Sequence, residues 1–184
     1  MARLLEQYVP PVQEERGIRT NFGMYPSAGS FTSFYTGGVT PLSTTSGTDK
    51  TPADGTVFIS AVNIPANTTV TGVSYSIGTV GGTDKAIAML FDSDGTLVAN
   101  SAVAGTTVGT TATFQRLAFT STYSAVGPGL YFVGIQMNGT TARLRTHAAG
   151  DHPTDAISQT FGTPVDITIP TTFTADEGPI AVLY

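Results

Sequence analysis

Apolar and polar positions alternate with a period of two along much of the chain beyond residue 55, the spacing that sends successive side chains to opposite faces of a strand. Residues 56–63 set Val57, Ile59 and Ala61 against Phe58, Ser60 and Val62, and residues 70–77 place Val73, Tyr75 and Ile77 on one face with Thr71, Ser74 and Ser76 elsewhere. Ile64-Pro65-Ala66-Asn67 between them reads as a turn. Residues 85–91 are apolar nearly throughout, which predicts a central strand. Asp92-Ser93-Asp94-Gly95 then predicts a tight turn with Gly95 in the left-handed position and a return over residues 96–99. Residues 111–119 contribute Phe114, Leu117 and Phe119, and residues 156–161, 165–169 and 179–183 supply further short strands.

The stretch GLYFVGIQMNGTTARLRT, residues 129–146, predicts a β-hairpin. Asn138-Gly139 suits a two-residue type I′ turn, which needs positive φ at both central positions. That register sets Met137 opposite Thr140, Ile135 opposite Ala142, Val133 opposite Leu144 and Tyr131 opposite Thr146, an almost wholly apolar face. The other face carries Phe132, Gly134, Gln136, Thr141, Arg143 and Arg145. A one-residue slip would bury both arginines, at a cost of several kcal/mol.

Composition agrees with short strands and many loops. Hydrophobic residues make up 40% of the 184 positions but charged residues only 11%, with β-branched Thr and turn-forming Gly filling the difference. The fold class expected is all-β: an antiparallel β-sandwich, jelly-roll-like, over residues 51–184, preceded by an extended N-terminal arm over residues 1–50. Residues 1 to about 19 hold Arg3, Arg16, Arg19 and every Glu except Glu177. Leu4, Leu5 and Tyr8 could line a short helix that Pro10-Pro11 stops. From residue 20 to about 54 the chain is rich in Gly, Ser, Thr and Pro, yet carries Phe22, Tyr25, Phe31, Phe34 and Tyr35. Those aromatics either pack on the chain's own domain or dock on a partner, where they supply large contact area.

A net charge of -5 argues against a phosphate-backbone footprint, so no nucleic-acid partner is expected. No apolar run approaches the length of a membrane span, and MARLLEQYVPPVQEERG lacks the apolar core of a secretory signal. Cysteine is absent, which removes disulfides, thiolate nucleophiles and cysteine-ligated zinc.

Candidate chemistry is sparse. Asp92 and Asp94 could offer oxygen ligands to calcium, but the EF-hand spacing is missing and a plain hairpin turn has the same residues. His147, Asp151, His152 and Asp155 cluster in sequence without a metal spacing. No G-x-S-x-G elbow is present, only two histidines could serve as a base, and the body of the chain has only Asp carboxylates until Glu177, so an enzyme is not expected, and no cofactor is implied. The exposed hairpin face, with Arg145 opposite Phe132 and Arg143 opposite Gly134, forms a candidate binding patch of Phe132, Gln136, Arg143 and Arg145 for a glycan or a neighbouring subunit.

An N-terminal arm followed by a Thr- and Gly-rich sandwich containing IPANTTVTGVSYSIG and PGLYFVGIQMNG resembles the small virion proteins of tailed bacteriophages: capsid decoration or cement proteins, head fibres and tail-tip modules. The resemblance implies a homo-oligomer, often a trimer, fixed to a particle by its N-terminal part. The expected function is therefore a decoration protein on the virion capsid surface, bound to the major capsid protein or another virion protein. Its anchoring residues would be Leu4, Leu5, Tyr8, Phe22, Tyr25, Phe31, Phe34 and Tyr35. The alternative is a receptor- or glycan-binding module of a tail or fibre.

Overall fold

A computed structural model describes residues 34–38 and 46–184. Its strands are β1 (Phe34–Tyr35), β2 (Thr48–Lys50), β3 (Thr56–Ile64), β4 (Thr69–Ser76), β5 (Lys85–Phe91), β6 (Leu97–Asn100), β7 (Thr106–Thr107), β8 (Phe114–Ser124), β9 (Gly129–Met137), β10 (Leu144–Thr146), β11 (Thr154–Ser158) and β12 (Ala181–Leu183). The described residues are thus all-β, and every pairing is antiparallel. One sheet has the order β1-β12-β4-β8, the other β11-β3-β9-β5-β6 with β7 beside β5, and β10 pairs with β2 in a two-stranded ribbon.

The alternation read from the sequence sorts side chains between two apolar clusters. Phe58 and Val62 of β3, Val73 and Tyr75 of β4, Ala88 and Leu90 of β5, Leu117 and Phe119 of β8 and Leu183 of β12 share one buried cluster. Both large sheets contribute to it, so the arrangement is sandwich-like. Val57, Ile59 and Ala61, the opposite face of β3, join Ile87, Met89, Phe91 and Phe132 in a second cluster. That second face would lie in water but for the segment after β11. Ile167 is buried there, with Phe161 and Ile169 packed alongside. Residues 165–169, expected as a strand, instead form this irregular cover, tied down where Ile167 N–H donates to Gly95 O at 2.9 Å.

The expected hairpin over residues 129–146 does not form. β9 runs between β3 and β5, with Ile135 facing Phe58 on one side and Ala88 on the other. β10 pairs with β2, Leu144 opposite Lys50 and Thr146 opposite Thr48. Neither Asn138 nor Gly139 has positive φ. The reason is local competition. Asn138 continues the ladder to β5, its amide donating to Lys85 O at 3.2 Å while its Oδ1 accepts the Lys85 amide at 2.6 Å. Beyond it the Asp84 carboxylate accepts the amides of Thr141 and Ala142 at 2.8 and 2.9 Å. Charge-assisted bonds of this kind outweigh a turn preference. The same carboxylate fills the space a side chain at Gly139 would need. The facing parity nevertheless survives: Tyr131, Val133, Ile135, Met137, Ala142 and Leu144 are all in the inter-sheet cluster.

Two strands lie within the stretch expected to be an arm. β1 pairs with β12, Phe34 opposite Leu183 and Tyr35 opposite Val182, and Phe34 is only 3% exposed within the main core. β2 holds β10. The folded unit therefore includes residues 34–38 and 46–50, on the N-terminal side of the expected boundary at residue 51.

Candidate functional site

The densest group of buried polar side chains lies where the N-terminal segment meets the sheet edge. After β1 the chain makes a short turn over Thr36–Gly38, with Gly37 at φ 66°. The Thr36 hydroxyl donates to Pro179 O at 2.8 Å and accepts the Ala181 amide at 3.0 Å. It also lies 3.0 Å from His147 Nε2. With the hydroxyl proton on the Pro179 carbonyl, His147 is the donor in that contact.

His147 follows β10 directly. Its backbone is fixed on both sides, its amide donating to Gly178 O and its carbonyl accepting the Asp176 amide, each at 2.9 Å. Its ring meets the His152 ring edge-on, centroids 4.5 Å apart, and His152 meets Phe173 the same way at 5.6 Å. Gly37 and Gly150 both lie against the His152 ring, and a Cβ at Gly150 would stand 2.8 Å from it. His152 is 3% exposed, and its Nε2 is buried without a hydrogen-bond partner. Phe173 is brought there by the segment that crosses the start of β11, where Thr154 Oγ1 donates to Thr174 O and accepts the Thr174 amide.

Electrostatics follow from burial. Removing an imidazole from water disfavours its cation, so burial pushes His147 down to about 4, and the neighbouring His152 adds to the shift. Burial also lowers His152, against the opposing pull of Asp151. Both rings are therefore neutral at pH 7. Asp151 is exposed, and the Asp155 carboxylate accepts the amide of Ala156. The structure thus brings the two histidines together but not the four-residue cluster. Among the described residues, no three His, Cys, Asp or Glu side chains gather closely enough to hold a metal ion. The arrangement can clamp a peptide segment: the hydroxyl beside His147 is that of Thr36, which also donates to Pro179 O and accepts the Ala181 amide.

The other candidates fall elsewhere. Asp92 Oδ1 accepts the amides of Asp94 and Thr96 at 3.0 and 2.9 Å, and Gly95 takes φ 85°, so this carboxylate shapes the turn while Asp94 points to solvent. The binding patch on the hairpin face is not assembled. Phe132 and Gln136 are 1% and 0% exposed, Phe132 sharing a cluster with Phe161, Ile167 and Ile169 and Gln136 donating to Gly55 O, and Arg143 and Arg145 belong to the β2–β10 region instead. Arg143 lies 3.7 Å from Asp49. Burial alone would raise the Asp49 pKa, but hydrogen bonds from Thr79 and the charges of Arg145 and Arg143 outweigh it and hold the carboxyl below its usual range. The glycan reading thereby loses the face it relied on. Of the expected anchors, Phe34 is in the core and Tyr35 is half-buried on β12, so both pack on their own domain. Leu4, Leu5, Tyr8, Phe22, Tyr25 and Phe31 lie outside the described residues.

Thr36, Gly37 and Phe173 escape a sequence reading. Thr36 and His147 are 111 positions apart, and Thr-Gly-Gly in a Gly-rich stretch carries no distinguishing pattern. Comparison with protein-family models, with curated proteins and with solved structures finds no match to this chain.

Proposed function

We propose that this chain is a structural protein of a tailed-phage particle, a capsid decoration or cement protein with a jelly-roll-like sandwich and an N-terminal arm that binds the assembled shell. The observation that carries the reading is the nesting of strand pairs. β1 pairs with β12, inside that β3 with β9, inside that β4 with β8, and innermost β5 with β6. A long hairpin of four strand pairs, rolled so that β12 meets β4 and β9 meets β5, would give this order, which supports a jelly-roll reading, the architecture of viral capsid domains as well as of lectins and cupins. Fold alone does not carry function. Supporting the assignment further, β1 lies at a sheet edge with β12 as its neighbour.

In this reading the aromatic and apolar residues before β1 contact the major capsid protein, and the domain, as a trimer, faces outward. A ligand that binds only the assembled shell stabilises that shell by linkage. The test is co-sedimentation with phage heads lacking the protein. The full chain is run beside a full-length variant in which Leu4, Leu5, Tyr8, Phe22, Tyr25 and Phe31 are serine, Phe34 and Tyr35 being kept because the fold uses them. The full chain pellets at a saturating stoichiometry and the variant stays in solution. No pelleting of the folded full chain overturns the decoration role, and equal pelleting of the two overturns the anchoring role.

A further inference from the structure

The contacts around Thr36 form a docking site for a peptide strand. Its floor is the outer edge of β12, to which Phe34 and Tyr35 add as a short antiparallel strand. Three side-chain features then fix the segment in place. Phe34 fills a position in the main core. The Thr36 hydroxyl satisfies the Ala181 amide and the Pro179 carbonyl, two groups that would otherwise face an open edge. Gly37 lies flat on the His152 ring, where a Cβ would come within 2.5 Å of a ring carbon and its φ of +66° would be strained for any other residue.

The wall of the site is two imidazoles and a phenyl ring, and its polar satisfaction is incomplete. His147 Nε2 reaches Thr36, while His152 Nε2 is buried and unpartnered. A proton arriving at either ring would place a cation in a space closed by Gly37, Gly150 and Phe173, beside a second imidazole. Of the ionisable groups on the surrounding elements, Asp151 offsets it at His152. Asp151, next to His152, is exposed. Glu177, on the segment that carries Phe173, is tied to Lys50 at 2.8 Å. Asp176 on that segment meets His147 through its backbone amide, and its carboxylate Oδ1 is buried without a hydrogen-bond partner. Arg145, two residues before His147, donates to Gly47 O, and its charge acts on Asp49. The turn Thr36–Gly38 and β12 contribute no acid or base.

The geometry points to an acid-releasable clasp: the β12 edge together with His147, His152 and Phe173 is a binding site for an extended aromatic-Thr-Gly segment, filled by the chain's own Phe34–Gly37 and vacated when the imidazoles gain protons. The sign follows from burial. The docked state favours neutral rings, so undocking takes up protons and becomes easier as pH falls from about 6.5 toward 4. Release would free β1 without unrolling the sheets, because β1 is an edge strand with one neighbour. This inference does not depend on what the N-terminal residues bind.

Amide hydrogen exchange on the full-length protein, resolved by residue, tests it. The Ala181 amide is held by the Thr36 hydroxyl and reports docking, whereas Ile135 in the middle of β9 reports opening of the core. After correction for intrinsic rates, lowering the pH from 7 to 4.5 reduces Ala181 protection by about tenfold or more, one pKa unit of coupling being a factor of ten, while Ile135 retains more of its own. Thr36→Val removes Ala181 protection at both pH values. His147→Gln, which keeps a donor toward Thr36, flattens the pH dependence. Equal protection of Ala181 at pH 7 and 4.5, or loss strictly in step with Ile135, overturns the clasp. The wild-type comparison decides this whether or not either variant folds.

Discussion

Phe132 separates a strand face in water from a face inside a second core. The substitution Phe132→Ala removes a ring that is 1% exposed and sits on β9 opposite Ala61 of β3 and Phe91 of β5, in the cluster with Val57, Ile59, Met89 and Ile167. Emptying a site of that kind costs the transfer free energy of the ring plus a cavity term, about 3–5 kcal/mol. On a solvated strand face the same change would cost no more than about 0.5 kcal/mol. For a domain of this size each kcal/mol lowers Tm by about 2–4 °C, so the expected fall is roughly 6–20 °C. Urea unfolding followed by far-ultraviolet circular dichroism gives the free energy directly, and a thermal scan gives Tm. Phe132→Leu, which keeps most of the volume, should cost far less than the alanine change. A loss below about 1 kcal/mol for Phe132→Ala would refute the placement of Phe161, Ile167 and Ile169 over this face.

Gln136 gives the complementary case: its Nε2 donates to Gly55 O at 3.0 Å, but its Oε1 is buried and unpartnered, and Gly55 O keeps the Gln159 amide. Gln136→Met should therefore leave stability unchanged or raise it by up to about 1 kcal/mol in the same urea assay, whereas a loss above about 2 kcal/mol would mean Oε1 has a partner. Gly95→Ala forces a Cβ onto the Ile167 carbonyl at φ 85° and should lose more than about 1 kcal/mol, while Gly127→Ala, with nothing within 4 Å, should stay within about 0.5 kcal/mol. For pH, His147 binds its proton near 6.5 when unfolded and near 4 when folded, so unfolding takes up a proton between those values. Its contribution is fully present above about 6.5 and is lost as pH falls to 4, by at most about 3 kcal/mol, and urea melts of His147→Gln should show a correspondingly shallower loss than wild type.

Much of the architecture was legible because burial on two faces leaves a simple trace. The split of β3 into Val57, Ile59 and Ala61 against Phe58, Ser60 and Val62 matches its two clusters, and the apolar run at residues 85–91 is β5, returning through Gly95 into β6. What misled was a strong local turn signal at Asn138-Gly139 beside an uncommitted partner. Residues 131–137 are apolar or small on both faces except Gln136, which is the mark of an interior strand with neighbours on each side; a hairpin arm would show one solvated face. β1, β2 and β10 have two or three residues each, too few to show any period, and their partners lie up to 149 positions away, Phe34 facing Leu183. At the site, the two histidines stood out as the only ones in the chain, but the threonine and glycine they hold could be found only once the first strand was placed beside the last.

The placement of β9 decides which residues face water and which line the core. Cross-strand nuclear Overhauser contacts of β9 test it most directly. Backbone contacts are expected from Ile135 to Phe58 on one side and to Ala88 on the other, and from Leu144 to Lys50. Contacts pairing Val133 with Leu144 and Ile135 with Ala142 across a turn at Asn138-Gly139 would contradict it.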